Sequence, residues 1–265
     1  MQDLVSVIIP TKNRPKMLYE CIHSIIEQTY KRIEIIIVDD DHEYWSAEKC
    51  LLENFSNFDN IQYYKNPGMG GNSARNHGLA KAKGNFIAFC DDDDLFEKQK
   101  IELQLKLLIT SNTGACYCYS KRIIVEKDII MNEFIYKPPL PCRYLFMPLL
   151  LSYNFIGTQT LMCKKELLNT VNGFDENLKR MQDWDIVIRL AKVTDFVCVK
   201  VPLVKIRIHD NSRVSKLPWE HVSFIYRKHK NISRNFLTLI FIIAHFIRHG
   251  NTKKILHYFR EVWLR

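Results

Sequence analysis

Phe86-Ile87-Ala88-Phe89-Cys90-Asp91-Asp92-Asp93-Asp94 joins five apolar residues directly to four carboxylates. A short apolar run of this kind is typical of a strand that is buried on both faces of a sheet. A similar run, Ile33–Val38, leads into Asp39-Asp40-Asp41, and a third run, Val5–Ile9, is closed by Pro10. The sequence therefore predicts buried strands, two of which end in clusters of acidic side chains.

Apolar residues at helical spacing separate these predicted strands. One such set follows Pro15 and comprises Met17, Leu18, Cys21, Ile22, Ile25 and Ile26. We expect a further strand at 61–64 and helices at 45–55, 72–82 and 97–109. This alternation predicts an α/β fold, with a mostly parallel sheet and helices on both faces. Ligands of such sheets bind beyond the carboxyl ends of the strands, which is where both acidic clusters fall.

The second half of the chain is less regular. We expect strands within 116–135, a helix at 142–151, a strand at 158–163, a helix at 183–192, an extended segment at 196–208 and helices from 219 onward.

Composition restricts the class of protein. Hydrophobic residues make up 47% of the 265 residues and charged residues 25%, which excludes a disordered or low-complexity chain. The eight cysteines show neither CxxC nor zinc-ribbon spacing, so we expect reduced, mostly buried thiols in a cytosolic protein. We see no signal peptide, and the best candidate for a membrane span, 236–247, has only 12 residues.

Basic charge is concentrated in the C-terminal tail. Residues 219–265 contain nine Lys or Arg and two Asp or Glu, whereas the rest of the chain is nearly neutral. This distribution argues against a nucleic-acid-binding protein and indicates a local anionic partner. Basic amphipathic helices in the tail would lie on an anionic membrane surface. Alternatively, they would pack on the rest of the protein or form a homodimer interface.

The two acidic clusters predict a site for a metal and a nucleotide. Four adjacent carboxylates repel one another unless a cation neutralises them, and in an extended chain Asp91 and Asp93 point the same way. A hard divalent cation held there would keep positions open for diphosphate oxygens. Asp39 or Asp40 would accept a hydrogen bond from a ribose or a base. The alternatives are a helix cap at Asp94 and turn or cap roles for Asp39 and Asp40.

Seven blocks, in this order along the chain, resemble those of the family-two glycosyltransferases: Val5–Arg14, Ile36–Asp40, Ala74–Leu79, Phe89–Asp94, Asn172–Glu176, Gln182–Asp185 with Arg189-Leu190, and Arg207–Ser212. The resemblance covers about residues 4–215. It implies an inverting enzyme with the GT-A fold, in which a mostly parallel sheet is flanked by helices, followed here by a C-terminal helical appendage.

The resemblance implies a binding site for a nucleotide-sugar donor, which we expect to be a UDP-sugar. The matching residues are Pro10, Thr11, Asn13, Arg14, Asp39, Asp40, Gly71, Arg75, Asp91 and Asp92. Asp40 would read the uracil edge with support from Asp39. Arg75 would lie near phosphate or sugar oxygens, with a salt bridge to a neighbouring carboxylate as the alternative.

A metal site is implied by the match of Asp91 and Asp93 to the family's D-x-D pair. The expected ion is Mn²⁺ or Mg²⁺, with Asp93 as the main direct ligand. The usual small polar residue between them is replaced by Asp92, which leaves open which carboxylates bind. His209 would approach the metal or the diphosphate, or would make a structural hydrogen bond instead.

Asp183 matches the family's catalytic base, which takes the proton of the acceptor hydroxyl. Attack opposite the leaving group would invert the anomeric configuration. The family more often has Glu where this chain has Gln182, which removes one charge. Gln182 and Trp184 are expected at the acceptor, with Trp184 stacking on a sugar or packing beside the helix start. The alternative for Asp183 is a helix N-cap.

These expectations combine into a division of the chain and a function. Residues 1–215 would form the catalytic domain, with a nucleotide-binding half at 1–115 and an acceptor-binding half at 116–215, followed by the basic tail at 216–265. The enzyme would be cytoplasmic or peripheral on the inner face of the membrane. It would transfer a hexosyl or N-acetylhexosaminyl group to a glycan or lipid-linked acceptor in surface polysaccharide synthesis. The alternatives are a nucleotidyltransferase and a basic nucleic-acid-binding protein.

Overall fold

The structure is a computed structural model that describes residues 3–41, 43, 46–126, 129–209, 219–233, 235–248, 255 and 258. Its strands are β1 (Val5–Thr11), β2 (Ile33–Asp39), β3 (Ile61–Lys65), β4 (Phe86–Phe89), β5 (Leu95–Phe96), β6 (Ala115–Glu126), β7 (Ile129–Tyr136), β8 (Met162–Lys164) and β9 (Phe196–His209). Its helices are α1 (Pro15–Ile26), α2 (Ser46–Asn54), α3 (Gly70–Lys81), α4 (Lys100–Ser111), α5 (Arg143–Ser152), α6 (Lys165–Thr170), α7 (Gln182–Ala191), α8 (Trp219–Lys228), α9 (Lys230–Ser233) and α10 (Phe236–Arg248).

One sheet organises the fold, in the order β3-β2-β1-β4-β8-β6-β9-β5, with β7 paired to β6. The half formed by β3, β2, β1 and β4 is entirely parallel, as the strand–helix alternation predicts. The other half is mixed, because β8 runs antiparallel to both neighbours while β6 and β9 are parallel. The chain therefore has the predicted α/β fold with a mostly parallel sheet flanked by helices.

The sheet buries apolar residues on both faces, which explains the continuous apolar runs. In β1, Ile8 joins the cluster on one face, whereas Val7 and Ile9 join the cluster on the other. Helices α1, α2 and α4 cover the second face, and α3, α5 and α7 cover the first. Residues of β1, β2 and β4 therefore meet a packed layer whichever way their side chains point.

Residues 158–163 differ from the prediction of a strand. Thr158–Thr160 form a 3₁₀ turn, and β8 begins only at Met162. The Thr160 hydroxyl donates to the Gly157 carbonyl at 2.8 Å, and its backbone N–H donates to the same oxygen at 3.0 Å. This local bonding of a threonine offsets its preference for extended structure.

The cysteine prediction is supported by the geometry. All eight cysteines are free, and six of them are buried. The exceptions are Cys142, which is exposed, and Cys198, which is partly exposed.

The C-terminal helices pack against the face of the sheet that carries α5 and α7. Ile225 and Tyr226 of α8 and Ile242 and Phe246 of α10 are buried in the same apolar cluster as α7. For α8 and α10 this arrangement is the packing alternative given for the tail, and it makes these two helices part of the main core. The expected boundary at residue 216 lies outside the described residues. In the ranges that the structure describes, no helix has the length and apolar content needed to span a bilayer.

Candidate active site

The two acidic clusters lie at the same edge of the sheet. Strand β1 is paired with both β2 and β4, so the carboxyl ends of all three strands are neighbours. Thr11 at the end of β1 is in register with Asp39, and its hydroxyl donates to Asp92 at 2.8 Å. Thr11 is thus the link between the clusters that follow β2 and β4.

The four carboxylates alternate between inward and outward positions. The side chains of Asp91 and Asp93 are 32% and 22% exposed, whereas that of Asp92 is 6% exposed. Asp94 is buried and accepts the backbone N–H of Arg207 at 3.1 Å. Asp91 and Asp93 therefore lie on the accessible side, but the predicted extended chain is wrong, because Asp92 and Asp93 form a turn in which the Asp94 N–H donates to the Asp91 carbonyl at 3.0 Å.

Arginine side chains offset the repulsion within this cluster. Arg14 donates to Asp93 at 2.7 Å and to Asp92 at 3.1 Å, and Arg75 donates to Asp91 at 2.5 Å. Burial raises the pKa of Asp92 to about 6, although Arg14 and the Thr11 hydroxyl oppose that rise. Asp92 therefore stabilises the end of β1, because one of its oxygens bonds to Thr11 and the other to Arg14.

Asp91 and Asp93 are suited to a hard divalent cation. Both offer carboxylate oxygens, which Mg²⁺ and Mn²⁺ prefer, and both are partly exposed. Among the described residues, no group of three His, Cys, Asp or Glu side chains converges as a complete metal site. The arrangement fits an ion that takes its remaining ligands from a diphosphate. The side chain of His209 lies outside the described residues.

Asp39 and Asp40 form the second part of the site. Asp40 accepts hydrogen bonds from the Asn66 side chain at 2.7 Å and the Gly70 backbone at 2.8 Å. Asp39 is buried and accepts from Tyr63 at 3.2 Å, and burial raises its pKa. Asp39 is therefore a supporting group within the fold, and Asp40 orders the turn that begins α3.

Arg75 on α3 lies between the acidic cluster and a large cavity. Its guanidinium carbon is 5.6 Å from the centre of the Phe174 ring, and the residue is buried. Among the described residues, no acceptor meets its buried Nε–H. A Cβ added at Gly71 would lie 3.0 Å from Arg75 Nη1, so the glycine lets the guanidinium approach the helix backbone. Arg75 therefore combines a salt bridge with an N–H that a ligand can satisfy.

Asp183 lies in the first turn of α7, after Met181 in a left-handed conformation with φ of 62°. Its Oδ2 accepts from the Asn154 side chain at 2.8 Å, and its Oδ1 accepts from the Trp184 backbone at 2.9 Å. Burial raises the pKa of Asp183, with these hydrogen bonds opposing the rise. A carboxylate with a raised pKa is a stronger base than an exposed one.

A cavity of about 800 Å³ brings Asp183 together with Arg75 and Asp91. Gln182 and Asn154 also line this cavity. The expected stacking of Trp184 on a sugar is corrected by the structure. The indole is 3% exposed, and its N–H donates to the Leu150 carbonyl at 2.6 Å. Trp184 is a core residue, as the packing alternative describes.

A buried charge network next to Asp183 has no counterpart in the sequence prediction. Asp185 is fully buried, accepts a hydrogen bond from Arg189 Nε at 2.8 Å, forms an ion pair with Lys228 at 2.8 Å and is hydrogen-bonded to His229 at 3.0 Å. Burial alone would raise the pKa of Asp185, but the bonds from His229, Lys228 and Arg189 hold it below its usual range. Arg189, four residues on, could have been paired with Asp185 from helical spacing, whereas Lys228 could not.

Comparisons with known proteins agree with this geometry. The family model described as glycosyl transferase family 2 matches residues 6–171. An uncharacterized glycosyltransferase of Rickettsia typhi is 32% identical over 214 residues, which cover 78% of this chain and 64% of the relative. The amylovoran biosynthesis glycosyltransferase AmsB of Erwinia amylovora is 30% identical over 210 residues, covering 77% and 69%. This chain spans between about a third and two thirds of the first such relatives.

Solved structures share the fold at low sequence identity. S. aureus TarS in complex with UDP-GlcNAc matches with a TM-score of 0.71 and 16% identity, over 98% of this chain and 81% of that one. The mannosyltransferase PcManGT of Pyrobaculum calidifontis, in complex with GDP-Man and Mn²⁺, matches with a TM-score of 0.59 and 17% identity, over 97% and 69%. These likenesses establish the GT-A fold.

Replacing Lys228 should destabilise the protein through the Asp185 network. In Lys228→Met, a fully buried carboxylate loses one charged partner, so we expect the free energy of unfolding to fall by about 1–3 kcal/mol. Urea denaturation measures this change. The control, Lys106→Met, removes an exposed lysine from α4 and should change stability by less than about 0.5 kcal/mol. Equal losses in the two variants would contradict the network's role.

Proposed function

Because this chain belongs to glycosyl transferase family 2, we propose that it is a metal-dependent, inverting enzyme that moves a sugar from a nucleotide-sugar to a hydroxyl group. The observation that carries this proposal is the shared cavity, in which Asp183 lies together with Arg75 and Asp91. A base on one side of a cavity and phosphate-binding groups on the other are what a single displacement at an anomeric carbon requires.

The donor would bind across the carboxyl ends of β1, β2 and β4. Asp40 and the Pro10-Thr11 backbone would contact the nucleoside, and Arg75 would donate its unsatisfied Nε–H to a phosphate or sugar oxygen. Support for a UDP-sugar comes from TarS, which shares the fold and was solved with UDP-GlcNAc. A hexosyl or N-acetylhexosaminyl donor is consistent with that likeness and with the GDP-Man complex of PcManGT.

Asp91 and Asp93 would hold Mn²⁺ or Mg²⁺ together with the donor diphosphate. The ion, when bound, supplies positive charge that stabilises the leaving diphosphate. Arg14 pairs with Asp93 and Arg75 pairs with Asp91, so positive charge offsets these two carboxylates before a donor binds. Arg14 also bonds to Asp92, and its contacts with Asp92 and Asp93 hold the loop after β4 in its direction.

Asp183 would accept the proton of the acceptor hydroxyl as that oxygen attacks the anomeric carbon. Asn154 and the Trp184 backbone hold both carboxylate oxygens and thereby orient the base toward the cavity it lines. Attack from the face opposite the diphosphate inverts the anomeric configuration. AmsB belongs to amylovoran biosynthesis, and we propose a comparable role in surface polysaccharide synthesis, with a glycan or lipid-linked acceptor.

The outer face of α10 would seat the enzyme on an anionic membrane surface. Ile240 and Ile247 are 45% and 58% exposed, while Ile242 and Phe246 of the same helix are buried. In sequence, these exposed apolar residues are flanked by basic residues of a tail that carries an excess of seven positive charges. Such a helix combines apolar insertion with attraction to anionic headgroups.

A screen of donor hydrolysis tests the donor and the metal. With Mn²⁺ and no acceptor, UDP-sugars should be hydrolysed faster than GDP-, ADP- and CMP-sugars, and a chelator should abolish turnover. Asp93→Ala should lower the rate at least about 100-fold, because it removes a metal ligand. Asp59→Ala, at an exposed turn remote from the site, should not change it. Unchanged hydrolysis by Asp93→Ala or in chelator would contradict the metal site.

Asp183→Asn separates donor binding from transfer. This variant retains the shape of the side chain but cannot take a proton, so transfer should fall about 10²- to 10⁴-fold. The rise in melting temperature caused by UDP with Mn²⁺ should remain as in the unaltered protein. Because the pKa of Asp183 is raised by burial, transfer by the unaltered enzyme should fall with decreasing pH before exposed carboxylates protonate. Equal transfer rates in the two proteins would contradict the assignment.

Vesicle sedimentation tests the membrane surface. The protein should bind vesicles that contain anionic phospholipid and bind neutral vesicles less. Replacing Ile240 and Ile247 by Ser should weaken this binding about tenfold or more. Ile109→Ser, at a residue of α4 that is 56% exposed, is the matched control and should bind normally. Equal binding by both variants would contradict a role for α10.

A further inference from the structure

The cavity next to Asp183 carries three cationic side chains that the proposed reaction does not use. Arg122 comes from β6, and Lys179 and Arg180 come from the segment that leads into α7. Across the described part of the chain, none of the three forms an ion pair or a side-chain hydrogen bond with another residue. The other arginines of the cavity differ, since Arg75 pairs with Asp91 and Arg207 pairs with Glu20.

Arg122 is held in a defined orientation without a carboxylate partner. Its guanidinium carbon lies 3.9 Å from the centre of the Tyr136 ring on the adjacent strand β7. The residue is partly buried, and this burial lowers its pKa, with Tyr136 opposing the fall. A guanidinium stacked by its face on a ring keeps its N–H edge available, and that edge matches the two oxygens of a carboxylate or phosphate. The N–H edge of this partly buried cation is therefore left for an incoming anion.

We propose that Arg122, Lys179 and Arg180 form a subsite for an oxyanion on the acceptor, so that the acceptor is an anionic glycan or glycosyl phosphate. This inference rests on the proposed function, because it takes the cavity beside Asp183 as the acceptor site. In the proposed function the donor diphosphate has Arg75 and the metal ion held by Asp91 and Asp93 as partners, whereas the three cations have no assigned partner. The oxyanion would be a phosphate or a carboxylate, since both present two oxygens to a guanidinium.

Calorimetric titration with simple sugars tests this subsite. The protein is first saturated with UDP and Mn²⁺, which fills the donor site, and is then titrated with glucose 1-phosphate, glucuronic acid or methyl glucoside. We expect at least one of the two anionic sugars to bind about tenfold or more tightly than the neutral one. The stronger of the two anions identifies phosphate or carboxylate as the group that the subsite prefers.

Two substitutions distinguish a binding role from a general effect of charge. Arg122→Met should remove the preference for the anionic sugar, and Arg122→Lys should restore part of it. Arg32→Met is the matched control, because Arg32 is exposed at the opposite end of the sheet, before β2, and its loss should leave the preference intact. Retention of the rise in melting temperature with UDP would show that Arg122→Met is folded.

Several outcomes would overturn the inference. Equal binding of the anionic and neutral sugars, or an unchanged preference in Arg122→Met, would do so. If Arg122→Met weakens UDP as much as the anionic sugar, the cations serve the donor and the acceptor subsite is wrong. The titrations are repeated without UDP, so the anionic preference is measured whether or not UDP binds. Failure of UDP to bind would then contradict the proposed function alone. Failure of only the anionic preference leaves the glycosyltransferase proposal intact.

Discussion

Repulsion among four consecutive carboxylates is the constraint on which this site depends. The turn after β4 resolves it by placing Asp92 and Asp94 inward, where a threonine hydroxyl and backbone or arginine N–H groups bond to them. Asp91 and Asp93 are left facing outward, each beside one arginine. Because Asp92 bonds to Thr11 and Arg14, the same contacts that relieve repulsion also fix the ends of β1 and β4 against each other.

The proposed base depends on a second set of contacts, made by parts of the chain that are distant in sequence. Asn154 holds Asp183 from one side, and Asp185, two residues on, bonds to Lys228 and His229 at the end of α8 and just after it. The first turn of α7 is therefore fixed by the C-terminal region. Residues beyond the family match, which ends at 171, therefore support the proposed base.

Sequence periodicity was sufficient for the parallel half of the fold and for the edge where the acidic clusters meet, because buried parallel strands are continuous apolar runs. It was insufficient where local bonding competes with propensity, as at Thr160, and where distant charges pair, as at Lys228. Trp184 shows another limit of sequence-based prediction. An aromatic residue beside a catalytic motif has the same sequence signature whether it packs in the core or stacks on a sugar. The docking of α8 and α10 on α5 and α7 required the tertiary structure.

Helix α10 has two faces with different surroundings. His245 and Phe246 line the cavity beside Asp183, while Ile240 and Ile247 of the same four turns face outward. A rigid helix couples its sides, so a contact that tilts or slides α10 from outside would also reshape this wall of the cavity. For the proposed acceptor site, residues that never touch the sugar would therefore influence acceptor choice, and a search for specificity determinants confined to the cavity would overlook them.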